Sequence, residues 1–356
     1  MRTGAPRVRS LRTIARRMNK LRLIQCGMGG MGKTWWSGPV RSTPDFDLVA
    51  IVDVAEQPLH EAGDALSVAP ARRFTSLEAA LDVVEADAVL TVTPPPVHVE
   101  HARLAFARGL HLLTEKPIAH DLDSARLMVE LARAAGRRLV VAQNYRYSPP
   151  MQRLRALVRD RPAGDLGHGH IDFYIPADFT GTFRQSMRFP LLVDMAIHHI
   201  DLIRAVTGRN VTRVTAHTFN PSWSWYEHHA GLKMLLELEG GIPFSYSGDW
   251  SAIGRSTSWN GTWRLQCADG SIHLEDDKIT LARCEKWNKN PTQQPIDVPP
   301  LERTGQAELL HRFAESIRTN VPAETSGDDN LWSFAAVMAG VTSATEHRAV
   351  DVTSLL

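Results

Sequence analysis

The 356-residue sequence predicts an α/β chain in two parts: a doubly wound parallel sheet, then an α+β half on a mostly antiparallel, open-faced sheet. Three observations predict it. A glycine loop, Gly27-x-Gly29-x-x-Gly32, follows one apolar run of strand length and precedes a second that ends in Asp53. Strand-like and helix-like segments then alternate as far as residue 142. From about residue 165 the pattern changes to clustered strands joined by turn signals such as Glu239-Gly240-Gly241 and Asp269-Gly270.

In chain order, the first strand carries Leu21, Leu23 and Ile24. Gly27 permits the tight turn after it, Gly29 lets backbone approach a pyrophosphate, and Gly32 lets helix pack on strand. The free amides at the helix start, around Gly30 and Met31, face the phosphates. Asp53 lies 21 residues past Gly32, at the end of the 48–52 run, where a carboxylate accepts hydrogen bonds from a ribose diol. A bare glycine triplet also occurs in ordinary βα units. With its flanking strands and acid it is a dinucleotide fingerprint, so the first half is a Rossmann domain. Asp53 would repel a 2′-phosphate and Val54 supplies no cation, which favours NAD over NADP.

After the loop, Gly38 and Pro39 make a poor helix of the segment 32–40. Residues 76–84 read as a helix and 88–92 as a buried strand that stops at Thr93-Pro94. A helix over 97–107 has His98 in its first turn and closes at Gly109. The strand 111–114 leads into Glu115-Lys116-Pro117, the helix 124–135 ends at Gly136, and the strand 139–142 enters Gln143-Asn144-Tyr145. Thr93, Lys116 and Asn144 each follow a strand end, so they converge on the carboxyl edge of the sheet, where such sheets bind ligands.

Composition excludes several classes. The chain is 43% hydrophobic and 22% charged, with a net charge of +1, so neither nucleic acid nor an acidic membrane is expected as partner. Residues 1–20 hold six Arg and Lys20 without an acid. The expectation for 1–19 is a disordered basic leader, or a translation start at Met18. The leader lacks the apolar region of a secretory signal, and Arg16-Arg17 lacks the hydrophobic run of a twin-arginine signal. No stretch reaches the roughly 18 apolar residues of a membrane span. Cys26, Cys267 and Cys284 are scattered without C-x-x-C spacing, which points to a reducing, cytoplasmic compartment.

In the second half, strands are expected over 168–176, 211–219, 231–238, 242–250, 262–267 and 271–275, and helices over 306–319 and 330–346. A helix over 191–206, ended by Gly208, is apolar on most sides, yet Asp194, His198 and Asp201 form one polar stripe at i, i+4 and i+7. Buried polar groups need partners, so the stripe marks a cavity, a satisfied core network or a metal site. No further Cys/His cluster has ligand spacing, and no metal is predicted. His168 and His170 read as surface residues of a strand. Oxidising a secondary alcohol needs a base for the hydroxyl proton and positive charge near the developing alkoxide. An imidazole oriented by a carboxylate, with Lys116, supplies both. Serine-hydrolase elbows, Walker loops and H-E-x-x-H motifs do not occur.

These motifs, and Asp194-Met-Ala-Ile-His198-His-Ile-Asp201 with them, resemble the Gfo/Idh/MocA oxidoreductases over residues 19–350. The most specific are the glycine loop, Asp53, Thr93-Pro94 with His98, and Glu115-Lys116-Pro117. The resemblance implies a dinucleotide-binding domain over 20–143 and a substrate and oligomerisation domain over 144–356, whose last helices can pack back on the first. It implies Lys116, Asp194 and His198 as catalytic trio, with His198 the proton acceptor. The cofactor set is Gly27, Gly29, Gly30, Met31, Asp53, Thr93, Pro94, His98, Glu115, Lys116 and Asn144. Asn144 and Tyr145 join the trio around substrate. The implied activity is NAD-dependent oxidation of a secondary hydroxyl of a cyclic polyol or sugar, by a homodimer or homotetramer joined through the outer face of the second sheet. An NAD-retaining glycosidase and a non-catalytic sugar sensor are the alternatives; the intact trio weighs against the sensor. One departure is the approach to Asp194, where Met187-Arg188-Phe189-Pro190-Leu191 replaces a glycine-rich segment, so substrate contacts from that side do not carry over. Trp223, Trp225 and Trp250 are read as a sugar-stacking wall or as core.

Overall fold

The computed structural model describes residues 20–287 and 290–356. The expected basic leader over 1–19 lies outside the described residues.

The first half alternates strands and helices: β1 (Leu21–Cys26), α1 (Gly30–Trp35), β2 (Phe46–Val52), α2 (Glu56–Ala65), β3 (Arg73–Phe74), α3 (Leu77–Val83), β4 (Ala88–Thr91), α4 (Pro95–Ala107), β5 (His111–Thr114), α5 (Leu122–Ala135) and β6 (Leu139–Val141). Its strands pair in parallel in the order β3-β2-β1-β4-β5-β6. The order reverses direction between β1 and β4, which opens the ligand crevice of a doubly wound sheet at their carboxyl ends. Local chemistry starts and stops the helices. Ser76 caps α3 and Asp121 caps α5 through side-chain bonds to backbone amides, and Gly136 closes α5 in the left-handed conformation.

The second half contributes α6 (Pro149–Asp160), β7 (Leu166–Tyr174), α7 (Ala196–Thr207), β8 (Val211–Phe219), β9 (Gly231–Leu238), β10 (Ile242–Asp249), β11 (Thr262–Cys267), β12 (Gly270–Glu275), β13 (Lys278–Arg283), β14 (Thr292–Ile296), α8 (Gly305–Thr319), α9 (Gly327–Glu346) and β15 (Val350–Asp351). The sheet runs β14-β13-β12-β11-β7-β10-β9-β8-β15 and is antiparallel except where β7 lies parallel to β10. Along β8 and β9 buried and exposed residues alternate; the buried face packs on α9, and on α7 where His199 meets Phe173 of β7 and Tyr246 of β10, while the other face is open. Helix α8 leaves this half. Its Leu309, Leu310, Phe313 and Ala314 pack into the core of the first sheet with Leu23, Trp35 and Phe46.

Several elements differ from the sequence reading. The segment after the glycine loop is helical through Val40, because a π turn over Trp36–Val40 carries the chain past Gly38 and Pro39. Burial of Trp35 and Trp36, whose indole N–H groups donate to Glu115 Oε1 and Met28 O, outweighs the poor local propensity. The 191–206 helix opens with a π turn, Leu191–Met195, before α7 begins. Helices α2 and α6 and strands β13 and β14 carry no expectation from the sequence. β14 contains Pro295 and is largely exposed, the character of an edge strand without an apolar period.

Candidate active site

The carboxyl ends of β1, β4, β5 and β6 deliver the first half of the site. Gly27 has φ +89°, and a Cβ there would stand 2.2 Å from Val92 O; one on Gly32 would stand 2.1 Å from Gly27 O. Both glycines are demanded by the fold itself. Gly29 is different: a Cβ would meet only Pro58, at 3.8 Å, and Gly29, Gly30 and Met31 all face solvent. Its bare surface is a cradle for a ligand rather than a packing requirement, which fits a pyrophosphate against the start of α1. Asp53 steadies this loop. Its Oδ2 accepts Met28 N at 2.7 Å and its Oδ1 accepts Ala55 N at 2.9 Å, and each oxygen can accept a second bond from a ribose. Val54 beside it is 87% exposed and offers no positive charge.

Two residues expected at the cofactor are buried. His98 is fully buried, with Nδ1 3.1 Å from Ile118 O and Nε2 2.8 Å from Thr93 O. It ties the β4 and β5 loops together and so helps to position Thr93 and Pro94. Burial pushes its imidazole below the ordinary value. Glu115 accepts Trp35 Nε1 at 2.7 Å and Lys116 N at 3.0 Å, bracing α1 against the lysine turn. Burial raises its carboxyl, against the pull of Lys116 and Trp35. Asn144 lies on the same rim, where a Cβ added to Gly305 would come within 3.9 Å of its Nδ2.

The second half supplies the facing wall. Lys116 Nζ donates to Asp194 Oδ1 at 2.8 Å and to Asp194 O at 2.7 Å. His198 is buried and stacks on Tyr145 with ring centroids 4.3 Å apart. Lys116, Asp194, His198 and Tyr145 therefore meet across the two sheets. The expected stripe does not survive intact. Asp201 turns away into a buried network, where it accepts Arg146 Nε and Nη2 at 2.6 Å and Ser333 Oγ at 2.7 Å. Nor does Asp194 orient His198, whose Nδ1 is buried with no partner among the described residues. The π turn holding Asp194 is wider than an α turn and takes it off the regular i, i+4 geometry.

One residue of the site escapes sequence reasoning: Arg184. Its Nε donates to Asp194 Oδ2 at 2.6 Å, and its guanidinium carbon lies 5.0 Å and 4.7 Å from the Phe179 and Phe183 ring centres. It sits in the irregular stretch between β7 and the π turn, where no periodicity flags it. It lies just before the Met187–Leu191 segment that departs from the family pattern. Arg188 instead lies over Phe189. Of the tryptophans, Trp250 is core at 1% exposed, and Trp223 is 58% exposed.

Electrostatics follow burial and charge. Burial alone would raise the Asp194 carboxyl, but Lys116 and Arg184 more than offset it and hold it well below the usual carboxylate range. Burial, then Lys116, pushes the His198 imidazole well below its ordinary value, with Asp194 pulling the other way. Burial lifts the Tyr145 phenol to about 12. Among the described residues, no group of three or more His, Cys, Asp or Glu is arranged to hold a metal ion.

Residues 21–143 match the family model described as an oxidoreductase family with an NAD-binding Rossmann fold, and residues 151–273 match the GFO/IDH/MocA C-terminal domain. The chain belongs to the Gfo/Idh/MocA family. It is an oxidoreductase with an NAD-binding first domain. Among curated relatives, the D-apiose dehydrogenase of Paraburkholderia graminis is 28% identical, over 99% of this chain and 95% of its own. The inositol 2-dehydrogenase of Pseudarthrobacter chlorophenolicus is 30% identical over 76% of this chain and 79% of its own. An Agrobacterium radiobacter oxidoreductase solved with NAD+, L-tartaric acid and magnesium shares the fold. Its TM-score is 0.85 at 22% identity, covering 95% of this chain and all of that one. No helix among the described residues is long and apolar enough to cross a membrane.

Proposed function

We propose that this Gfo/Idh/MocA protein oxidises a secondary hydroxyl of a cyclic polyol or sugar with NAD. The observation that carries the reading is the meeting of Lys116, Asp194 and His198 at the carboxyl edge of the NAD-binding sheet, with Tyr145 and Asn144 beside them. Bound NAD supplies the hydride acceptor; the glycine loop, Asp53, Thr93 and Pro94 would hold it. As the C–H hydride leaves, the hydroxyl proton passes to His198. Its Nδ1 is sealed inside the protein, so Nε2 is the nitrogen left to meet the substrate. Lys116 Nζ stabilises negative charge on the substrate oxygen. The names of the relatives, inositol and D-apiose dehydrogenases among them, support this substrate class.

A screen of inositols, aldoses, anhydrosugars and glycosides with NAD tests it. Net NADH with one or more polyols or sugars is expected. Glycoside cleavage without net NADH would favour the NAD-retaining glycosidase, and binding without either would favour a sensor. The outer face of the second sheet, where Leu235 is 66% exposed among polar neighbours, is read as the contact between copies of the chain. Light scattering should find a dimer or tetramer that Leu235→Glu disrupts; a wild-type monomer would overturn this contact.

A further inference from the structure

Asp194 has two carboxylate oxygens, and neither serves His198. Oδ1 takes Lys116, and Oδ2 takes Arg184 Nε at 2.6 Å, with Arg184 Nη2 3.5 Å from Oδ1. The arm that brings Arg184 is anchored on both sides. Its guanidinium lies between Phe179 and Phe183, Phe179 packs edge-on against Trp250 at 5.1 Å, and Glu227 N donates to Gln185 O at 3.1 Å.

We propose that Arg184 is a positioning residue of the reaction: by occupying Oδ2 it keeps the Asp194 carboxylate turned to Lys116 and away from His198. The proposal rests on the reading of Lys116, Asp194 and His198 as the reacting trio. The charged and titratable groups facing His198 are Lys116 from the turn after β5, Tyr145 from the turn after β6, and Asp194 and His199 from its own segment. Of these, Asp194 alone favours a charged imidazole. A carboxylate paired only with Lys116 would leave one oxygen without a cation, and its charge would act unshared on the His198 imidazole. His198 would then bind a proton at higher pH than in wild type, and less of it would be available as base on the acid side. Arg184 neutralises that oxygen.

The test uses the NAD-loaded, full-length protein with Arg184→Met and Arg184→Lys. Two readouts are followed: the acid limb of the oxidation rate against pH, and the NMR titration of the His198 imidazole, assigned by its loss in His198→Gln. In Arg184→Met both should move up by roughly one to three pH units, the range for a newly engaged neighbouring carboxylate. On the acid limb, turnover at a fixed pH should fall about tenfold for every pH unit by which the limb moves up, while KM changes little. Arg184→Lys, which restores a cation to Oδ2, should return both readouts toward wild type. An unmoved titration in Arg184→Met overturns the proposal. So does a rise in KM alone, which would make Arg184 a substrate contact only. The titration needs no turnover, so it decides the role of Arg184 even if wild type oxidises nothing in the screen.

Discussion

At the scale of single residues, the burial of His198 sets the pH behaviour expected of the reaction. As the proposed proton acceptor His198 must start neutral, and desolvation, then the nearby Lys116, pushes its imidazole well below the ordinary ~6.5. The positive nicotinamide of bound NAD would lower it further. The oxidation rate constant should therefore be level through neutral pH and fall only as acid carries the medium down through the depressed value. A limb at or above the ordinary value would contradict this. His198→Ala should cut turnover by roughly 10²–10⁴, the range for losing a positioned general base, while NAD affinity measured by titration stays nearly intact. Unchanged turnover and pH profile would make His198 structural. Cofactor choice is expected to rest on Asp53 at the same scale. With the neutral Val54 exposed beside it, NAD should bind at least tenfold more tightly than NADP, a difference of about 1.4 kcal/mol; equal affinities would remove the argument.

At the scale of elements, the glycine loop and α1 separate folding demands from binding demands. An alanine at Gly32 places its Cβ against Gly27 O, backbone on both sides, so loop and helix must part. Gly32→Ala should lose both thermal stability and NAD affinity. Gly29→Ala has room in the folded chain and should melt near wild type, yet bind NAD far more weakly because the methyl occupies the cradle. Equal NAD affinity for Gly29→Ala and wild type would show that the pyrophosphate lies elsewhere. The π turn before α7 matters in the same way: it sends Asp194 to Lys116 and Arg184, while the regular helix after it sends Asp201 into the core.

At the scale of the molecule, the two sheets are bound together by a buried ionic network and by α8. Arg146, from the turn after β6, bonds Asp201 of α7 and Asp329 of α9, and Arg204 of α7 bonds Asp329 and Ser333. Arg146→Met strands Asp201 at 1% exposure, with Arg204 Nη1 at 3.7 Å as its remaining cation. Breaking such a pair costs about 3–5 kcal/mol, and the residual partner places this case near the lower end. Urea denaturation should show the loss; a change below about 1 kcal/mol would mean Arg204 or water replaces the pair.

The sequence by itself determined the parallel sheet, its glycine loop and Asp53, and the strand ends bearing Thr93, Lys116 and Asn144. Those depend on short-range patterns: apolar runs, glycine spacing, and the rule that sheet ligands lie at carboxyl edges. The resemblance added Asp194 and His198, which periodicity alone left open between core and site. Only the tertiary structure decided the rest. His98 and Glu115 are ordinary polar residues in sequence, and their burial under the loops shows only when β4, β5 and α1 are brought together. The stripe of Asp194, His198 and Asp201 looks like one feature because helical periodicity assumes a regular helix, and a single π turn divides it. Arg184 has no local signal at all. Its pairing with Asp194 depends on an irregular arm folding back over the end of a helix, held by Phe179, Phe183 and Trp250, and contacts of that kind are fixed by packing rather than by spacing along the chain.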